Sequence, residues 1–164
     1  MISPELCQAV SDARAVLPSD PEWSMMNSLP PATAGPIDGP ADYVDLLRTS
    51  DGPICGDIVV ISASYVGPAQ IYADPQEGVP VRLDRDTWFC FGKVNEDPLF
   101  LSRADNTVWG FPDRGILWWQ SDRFEKYADD LDQFVLDYAF GGGYLSLAED
   151  DQWARLLRHI GRVR

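Results

Sequence analysis

Histidine is almost missing from this chain: His159 is the only one among 164 residues. That shortage removes most familiar nucleophilic chemistry, which needs a base beside its nucleophile. A histidine near the end of an arginine-rich helix is better placed to meet the helix dipole than to take a proton from a substrate. The chain also lacks HExxH, GxSxG, GxxxxGK(S/T) and any GxGxxG after a strand, so no catalytic residue and no cofactor is expected. Cysteine is scarce too. Cys7, Cys55 and Cys90 stand singly, with no CxxC pair, which argues against a disulfide framework or a zinc site and for a reducing compartment. No loop has the dense DxDxDG order of a calcium site, and no metal is expected.

Basic residues are the third shortage. Lys and Arg number 13 against 26 Asp and Glu, a net charge of -13. Such a surface repels phosphate backbones and anionic membranes, so nucleic acid and membrane are poor partners and a basic protein a good one. The same balance also serves solubility alone. No apolar run approaches the ~18 residues of a membrane span, and residues Met1 to Gln8 carry no basic leader, which points to the cytoplasm.

What is present is a globular composition, 45% hydrophobic and 24% charged, in a length that fits one domain over residues 1–164. Ser3 caps a first helix, with Pro4 at its first position, Glu5 in its first turn, and Leu6, Val10 and Ala13 on one face. From Leu17 to Pro40 repeated proline and glycine predict a long surface loop anchored by Trp23, Met25, Met26 and Leu29. A short helix follows from Pro40 to Gly52, with Tyr43, Val44, Leu46 and Leu47 inward. Strands are predicted at Asp57–Ala63, Val79–Leu83, Thr87–Phe91, Pro98–Ser102, Thr107–Phe111 and Ile116–Trp119, with one more at Phe124–Ala128. The turns between them are short enough for an antiparallel meander.

After these, Asp129 caps a helix bearing Leu131, Phe134, Val135 and Tyr138, and Gly141-Gly142-Gly143 stops it. Ser146 and Glu149 have capping-box spacing for a last helix with Trp153, Leu156, Leu157 and Ile160 inward. Helices, a run of strands, then helices again is an α+β pattern: a mainly antiparallel sheet of about six strands with helices packed on it. The carboxylates Asp129, Asp130, Asp132, Asp137, Asp150 and Asp151 read as caps and solvated faces. Aromatics are in excess, with six Trp, six Tyr and seven Phe. Most belong to the core, but adjacent Trp118 and Trp119 on one strand would point to opposite faces, leaving one as a candidate contact for a partner.

Three stretches resemble the SUKH superfamily. The first runs from Pro40-Ala-Asp-Tyr-Val-Asp through Gly52-Pro-Ile-Cys-Gly-Asp-Ile, similar to that family's proline, Tyr-bearing short helix, glycine turn and strand. Next, Trp88-Phe-Cys-Phe-Gly-Lys-Val-Asn-Glu-Asp-Pro-Leu-Phe-Leu looks like its aromatic strand, turn and following strand, and Asn106-Thr-Val-Trp-Gly-Phe-Pro like the strand after, where glycine is commoner than Asn106. The last is Tyr127-Ala-Asp-Asp-Leu-Asp-Gln-Phe-Val-Leu-Asp-Tyr-Ala-Phe-Gly. Together they place the family-like core at 41–143, with an N-terminal helix and Pro-rich loop over 1–40 and a C-terminal helix over 144–164. The loop and the last helix carry none of these motifs.

The resemblance implies an α+β fold and a non-enzymatic role: an immunity protein that binds and neutralises a toxin domain. A basic nuclease would suit the acidic charge. The hairpin turns and their aromatics put the expected partner-binding residues at Glu96, Asp97, Asp105 and Asp113 with Trp109 and Trp118. The same fold serves regulatory or scaffolding binders with no toxin. A carboxylate-based hydrolase would need a deep cleft holding two carboxylates of raised pKa. Monomer and homodimer are both open.

Overall fold

In the computed structural model, which describes residues 1–164, the turn-separated apolar runs pair in the order they occur along the chain. Six strands form one sheet: β1 (Ile54–Cys55), β2 (Ile58–Val60), β3 (Trp88–Val94), β4 (Asp97–Ser102), β5 (Val108–Gly110) and β6 (Glu125–Ala128). Every neighbour is antiparallel. With its helices, the fold is α+β as the sequence predicts. The β3–β4 hairpin closes through Asn95 and Glu96, with Asn95 at φ 54. Asn106 in the β4–β5 turn takes φ 63, a left-handed conformation that asparagine tolerates and glycine adopts freely.

Period-two alternation divides the sheet into two faces. Phe89, Phe91, Leu99, Leu101 and Val108 point into the main core. Against it pack α1 (Pro4–Val16), α3 (Ala41–Leu47), the short α5 (Leu131–Phe134) with its π-helical continuation Val135–Ala139, α6 (Tyr144–Leu147) and α7 (Gln152–His159). Ser3 caps α1, its Oγ accepting from the Leu6 N–H at 3.1 Å, and the predicted inward residues of α1 and α3 are buried except Val44, which is half-buried. Asp130, one residue later than predicted, caps α5 by accepting from Gln133 N. Asp151, not a Ser146–Glu149 box, caps α7, accepting from Trp153 N and Ala154 N. Ser146 is spent on the Gly143 carbonyl within α6.

Two predicted strands are absent. Val79–Leu83 is irregular, for Pro80 has no N–H to give a ladder. Ile116–Trp119 leads from Gly115, at φ 80, into a 3-10 turn at Trp118–Gln120, and β6 fills the place beside β5 instead. The sixth strand is β1, hidden in sequence between Pro53 and Gly56. The predicted loop over 17–40 is also partly ordered: α2 (Pro21–Met26) starts at Asp20, which accepts from Glu22 N at 2.9 Å. Trp23 and Leu29 are buried anchors, whereas Met25 and Met26 are exposed. Proline breaks the ladder, and arginines replace it. Arg14 donates to the carbonyls of Leu29, Pro30 and Thr49, and Arg48 to those of Thr33 and Gly35.

The second face carries a smaller cluster: Cys90, Phe100 and Phe111 with Ala73, Leu83 and Trp118. It is covered by α4 (Val66–Ala69), the 3-10 turn Gln70–Ala73 and the 3-10 turn at Trp118. Gln70 ties this cover down. Where β2 has ended, its buried amide accepts from Cys90 N and donates to Cys90 O and Val66 O, so the backbone groups the sheet leaves unmatched are satisfied. Burial pushes the Cys90 thiol up to about 12 and Cys55 higher still, which makes both poor nucleophiles. No helix is long and apolar enough to cross a membrane.

Candidate functional site

The cover over the second face stops short of β1 and β2, and the gap is a groove. Its floor is sheet: Ile54 and Val59 face each other across β1–β2, Lys93 lies opposite Val59, and Pro98 opposite Lys93. Gly92 makes that floor flat, because a Cβ there would sit 2.4 Å from the Val59 carbonyl oxygen. Tyr65, Ala69 and Tyr72 form the wall, enclosing about 390 Å³. A second groove of about 800 Å³ runs on past Tyr72 and Glu96 to Asp97, Arg114, Ile116, Leu117 and Trp119. Tyr72 and Glu96 belong to both grooves.

Large apolar side chains stay wet here. Ile116 is 47% exposed, Leu117 50%, Trp119 42% and Tyr65 71%. Other large apolar side chains, Met1, Met25, Met26, Ile71 and Leu145, are exposed elsewhere, but contiguous exposure of this kind is the pattern an interaction surface presents.

Of the six residues expected from sequence, the structure brings three to this surface. Glu96 sits in the β3–β4 turn, Asp97 opens β4, and Trp118 lines the second groove. Trp118 is only 7% exposed, packed edge-on against Tyr72 and Trp119 and tilted on Phe111, so it supports the groove more than it offers itself. The other three are engaged elsewhere. Trp109 stacks on Phe124 at 5.5 Å and donates from Nε1 to Thr107 Oγ1. Asp105 accepts from the Thr107 hydroxyl and N–H, which holds its carboxyl below the usual range. Asp113 pairs with Arg123, which also holds Glu125. Sequence reasoning missed Tyr65, Tyr72, Ile116 and Leu117. The one available signal was the four-residue apolar run Ile116–Trp119 between a glycine turn and polar residues, read as a strand.

No family model matches this chain, and no curated protein or solved structure matches it.

His159 ends α7 in the same turn as Arg158, its ring 5.4 Å from that of Trp23. Two carboxyls are held above the usual aspartate range. Asp57 is raised by burial and by Asp151 and Glu149, against Arg114; Asp97 is raised by burial and Glu96, again against Arg114. Asp97 opens β4 in the second groove, and Asp57 lies on the β1–β2 turn, where its N–H donates to the Tyr144 hydroxyl and its carbonyl accepts from Asn95 N.

These shifts set a pH profile. An unfolded aspartate titrates near ~3.9, so raised folded values mean that the native state binds these protons more tightly. Their stabilisation is complete below that pH and lost as pH rises through the folded values. Asp74, Asp105 and Asp150 act oppositely: hydrogen bonds from Arg85, Thr107 and Arg158 lower them, and their contribution is lost as pH falls through their folded values. The urea midpoint is therefore expected to rise as pH falls from neutral through the folded values of Asp57 and Asp97 toward about pH 4, and to fall again below that. Asp57→Asn with Asp97→Asn should flatten the rise. A midpoint that drops steadily as pH falls from neutral to about 4 would sink this assignment.

Proposed function

We propose that this protein is an immunity protein, one that binds a toxin domain in the cytoplasm and neutralises it without catalysis. The observation that carries the reading is the exposed apolar surface of Tyr65, Tyr72, Ile116, Leu117 and Trp119 beside Glu96 and Asp97, on a chain of net charge -13. An aromatic and aliphatic patch supplies contact energy, while the field of the whole chain steers a basic partner and raises its on-rate. The three SUKH-like stretches support the same role, since members of that superfamily serve as immunity proteins. A cationic nuclease domain is the partner these features suit best.

The test is calorimetry of this protein against the C-terminal domain encoded by the adjacent gene, with that domain's toxicity followed in cells. Stoichiometric binding of nanomolar strength, about -12 kcal/mol, is expected. Raising salt from low to near-molar should weaken it by an order of magnitude, on the order of ten-fold, through the on-rate. Absence of both binding and protection would remove that pairing and favour a regulatory binder without a toxin.

A further inference from the structure

We propose that the two joined grooves hold one extended segment of a partner protein, which seats an aliphatic or aromatic anchor over the Gly92 floor and a lysine or arginine against Glu96. The inference rests on the protein-binding reading above, and it assigns the surface and the chemistry of what binds there. Five of the ten large apolar side chains left exposed, namely Tyr65, Tyr72, Ile116, Leu117 and Trp119, line these grooves. The floor of Ile54, Val59 and Pro98 offers water few partners, and Pro98 has no N–H of its own to solvate, so an apolar side chain is the occupant that loses least on entry.

Charge decides what flanks that anchor. The ion pairs on this side of the molecule, Arg85 with Asp74 and Arg123 with Asp113 and Glu125, leave Glu96 free at the junction of the grooves. Arg114 in the second groove makes no ion pair; its charge acts on Asp97 and Asp57, favouring their ionised form. Lys93 at the edge of the first groove is free to donate to a backbone carbonyl of the bound segment. A second copy of this chain would bring another net charge of -13 against the first, and that long-range repulsion selects a basic partner over self-association.

The probe is a random 12-residue peptide library displayed on phage and panned on the intact protein, with winning peptides synthesised and their affinities measured by fluorescence anisotropy. Winners should carry an apolar anchor within a few residues of a lysine or arginine. Glu96→Lys, Leu117→Ser and Tyr65→Ala should each weaken them about ten-fold or more. All three positions are exposed, so circular dichroism melts of the variants should match the parent.

No enrichment, acidic winners, or equal affinity for parent and variants would overturn the proposal. So would a dimer in sedimentation equilibrium that Leu117→Ser dissociates, which would give the face to a second copy. The two readings fail separately. If the neighbouring gene's domain binds parent and variants alike, neutralisation stands and the groove assignment falls. If that domain does not bind while basic, apolar peptides select the groove, the groove stands and that toxin pairing falls.

Discussion

Trp153→Ala is expected to lower the stability of this protein by about 3–5 kcal/mol, the range for removing a buried aromatic that leaves a cavity behind. The side chain is fully buried at the start of α7, its ring edge-on to Phe140 at 5.6 Å, and its Nε1 donates to the Ala139 carbonyl at 2.7 Å. That carbonyl ends the π-helical turn Val135–Ala139, where the bonding is i→i+5 as from Phe140 N to Val135 O, so the indole holds the end of one helix on the start of another. Two losses therefore add: ring volume and the partner of a buried acceptor. Trp153→Phe separates them, keeping most of the ring while orphaning the carbonyl, at a cost of about 1–3 kcal/mol. Urea denaturation followed by circular dichroism reads both, and a loss under about 1 kcal/mol for the alanine variant would show that the packing around α7 matters far less than its burial implies.

Trp153 was legible in the sequence because α7 is strongly amphipathic, and so were Leu156 and Leu157 beside it. The β3–β4 hairpin was legible for a related reason: two β-branched and aromatic runs stand on either side of turn residues at 92–97, although β3 runs on to Val94 through a bulge at Cys90/Gly92 and β4 begins at Asp97, so that the turn itself is only Asn95-Glu96. The failures share a cause as well. β1 is two residues long and α4 four, too short for any period to show. Both exist because tertiary contacts hold them, the Ser28 bridge to Ile54 in one case and the Gln70 amide in the other.

The candidate surface was readable only in part. Glu96 and Asp97 follow from the hairpin, but whether a given tryptophan is spent on neighbours cannot be read locally. Trp109 is taken by Phe124, fifteen residues later, and Asp113 by Arg123, ten residues later. Tyr65 and Tyr72 come from a stretch broken by Gly67 and Pro68, where no apolar period survives. Their exposure becomes visible only when the sheet's second face has been laid down and its cover found to be incomplete.

The β1–β2 turn carries the other large effect, and here the expected result is a double-mutant cycle. Gly56 takes φ 62, and a Cβ on it would lie 2.0 Å from the Tyr144 hydroxyl oxygen and 2.8 Å from Trp153 Cβ. Left-handed backbone alone costs alanine about 1–2 kcal/mol. The clash adds more, because the hydroxyl it displaces accepts from Asp57 N at 3.0 Å and donates to Asp151 Oδ2 at 2.7 Å. Asp151 is also the cap of α7, so the turn, α6 and the start of α7 are fastened at one oxygen atom.

Gly56→Ala should therefore cost about 3–5 kcal/mol, a sum of strain and lost hydrogen bonds. Tyr144→Phe alone should cost about 1–3 kcal/mol, for it removes the hydroxyl and leaves the Asp57 N–H without its acceptor. In the double variant the nearest clashing atom is gone, leaving the milder contacts with Trp153 Cβ at 2.8 Å and the ring carbon of residue 144 at 2.9 Å, and the hydrogen bonds the hydroxyl made cannot be lost twice. The combined loss should then fall short of the sum by about 1 kcal/mol or more. Strict additivity in urea denaturation would mean that the added methyl strains the backbone without reaching Tyr144, and that this hydroxyl is not what demands a glycine in the turn.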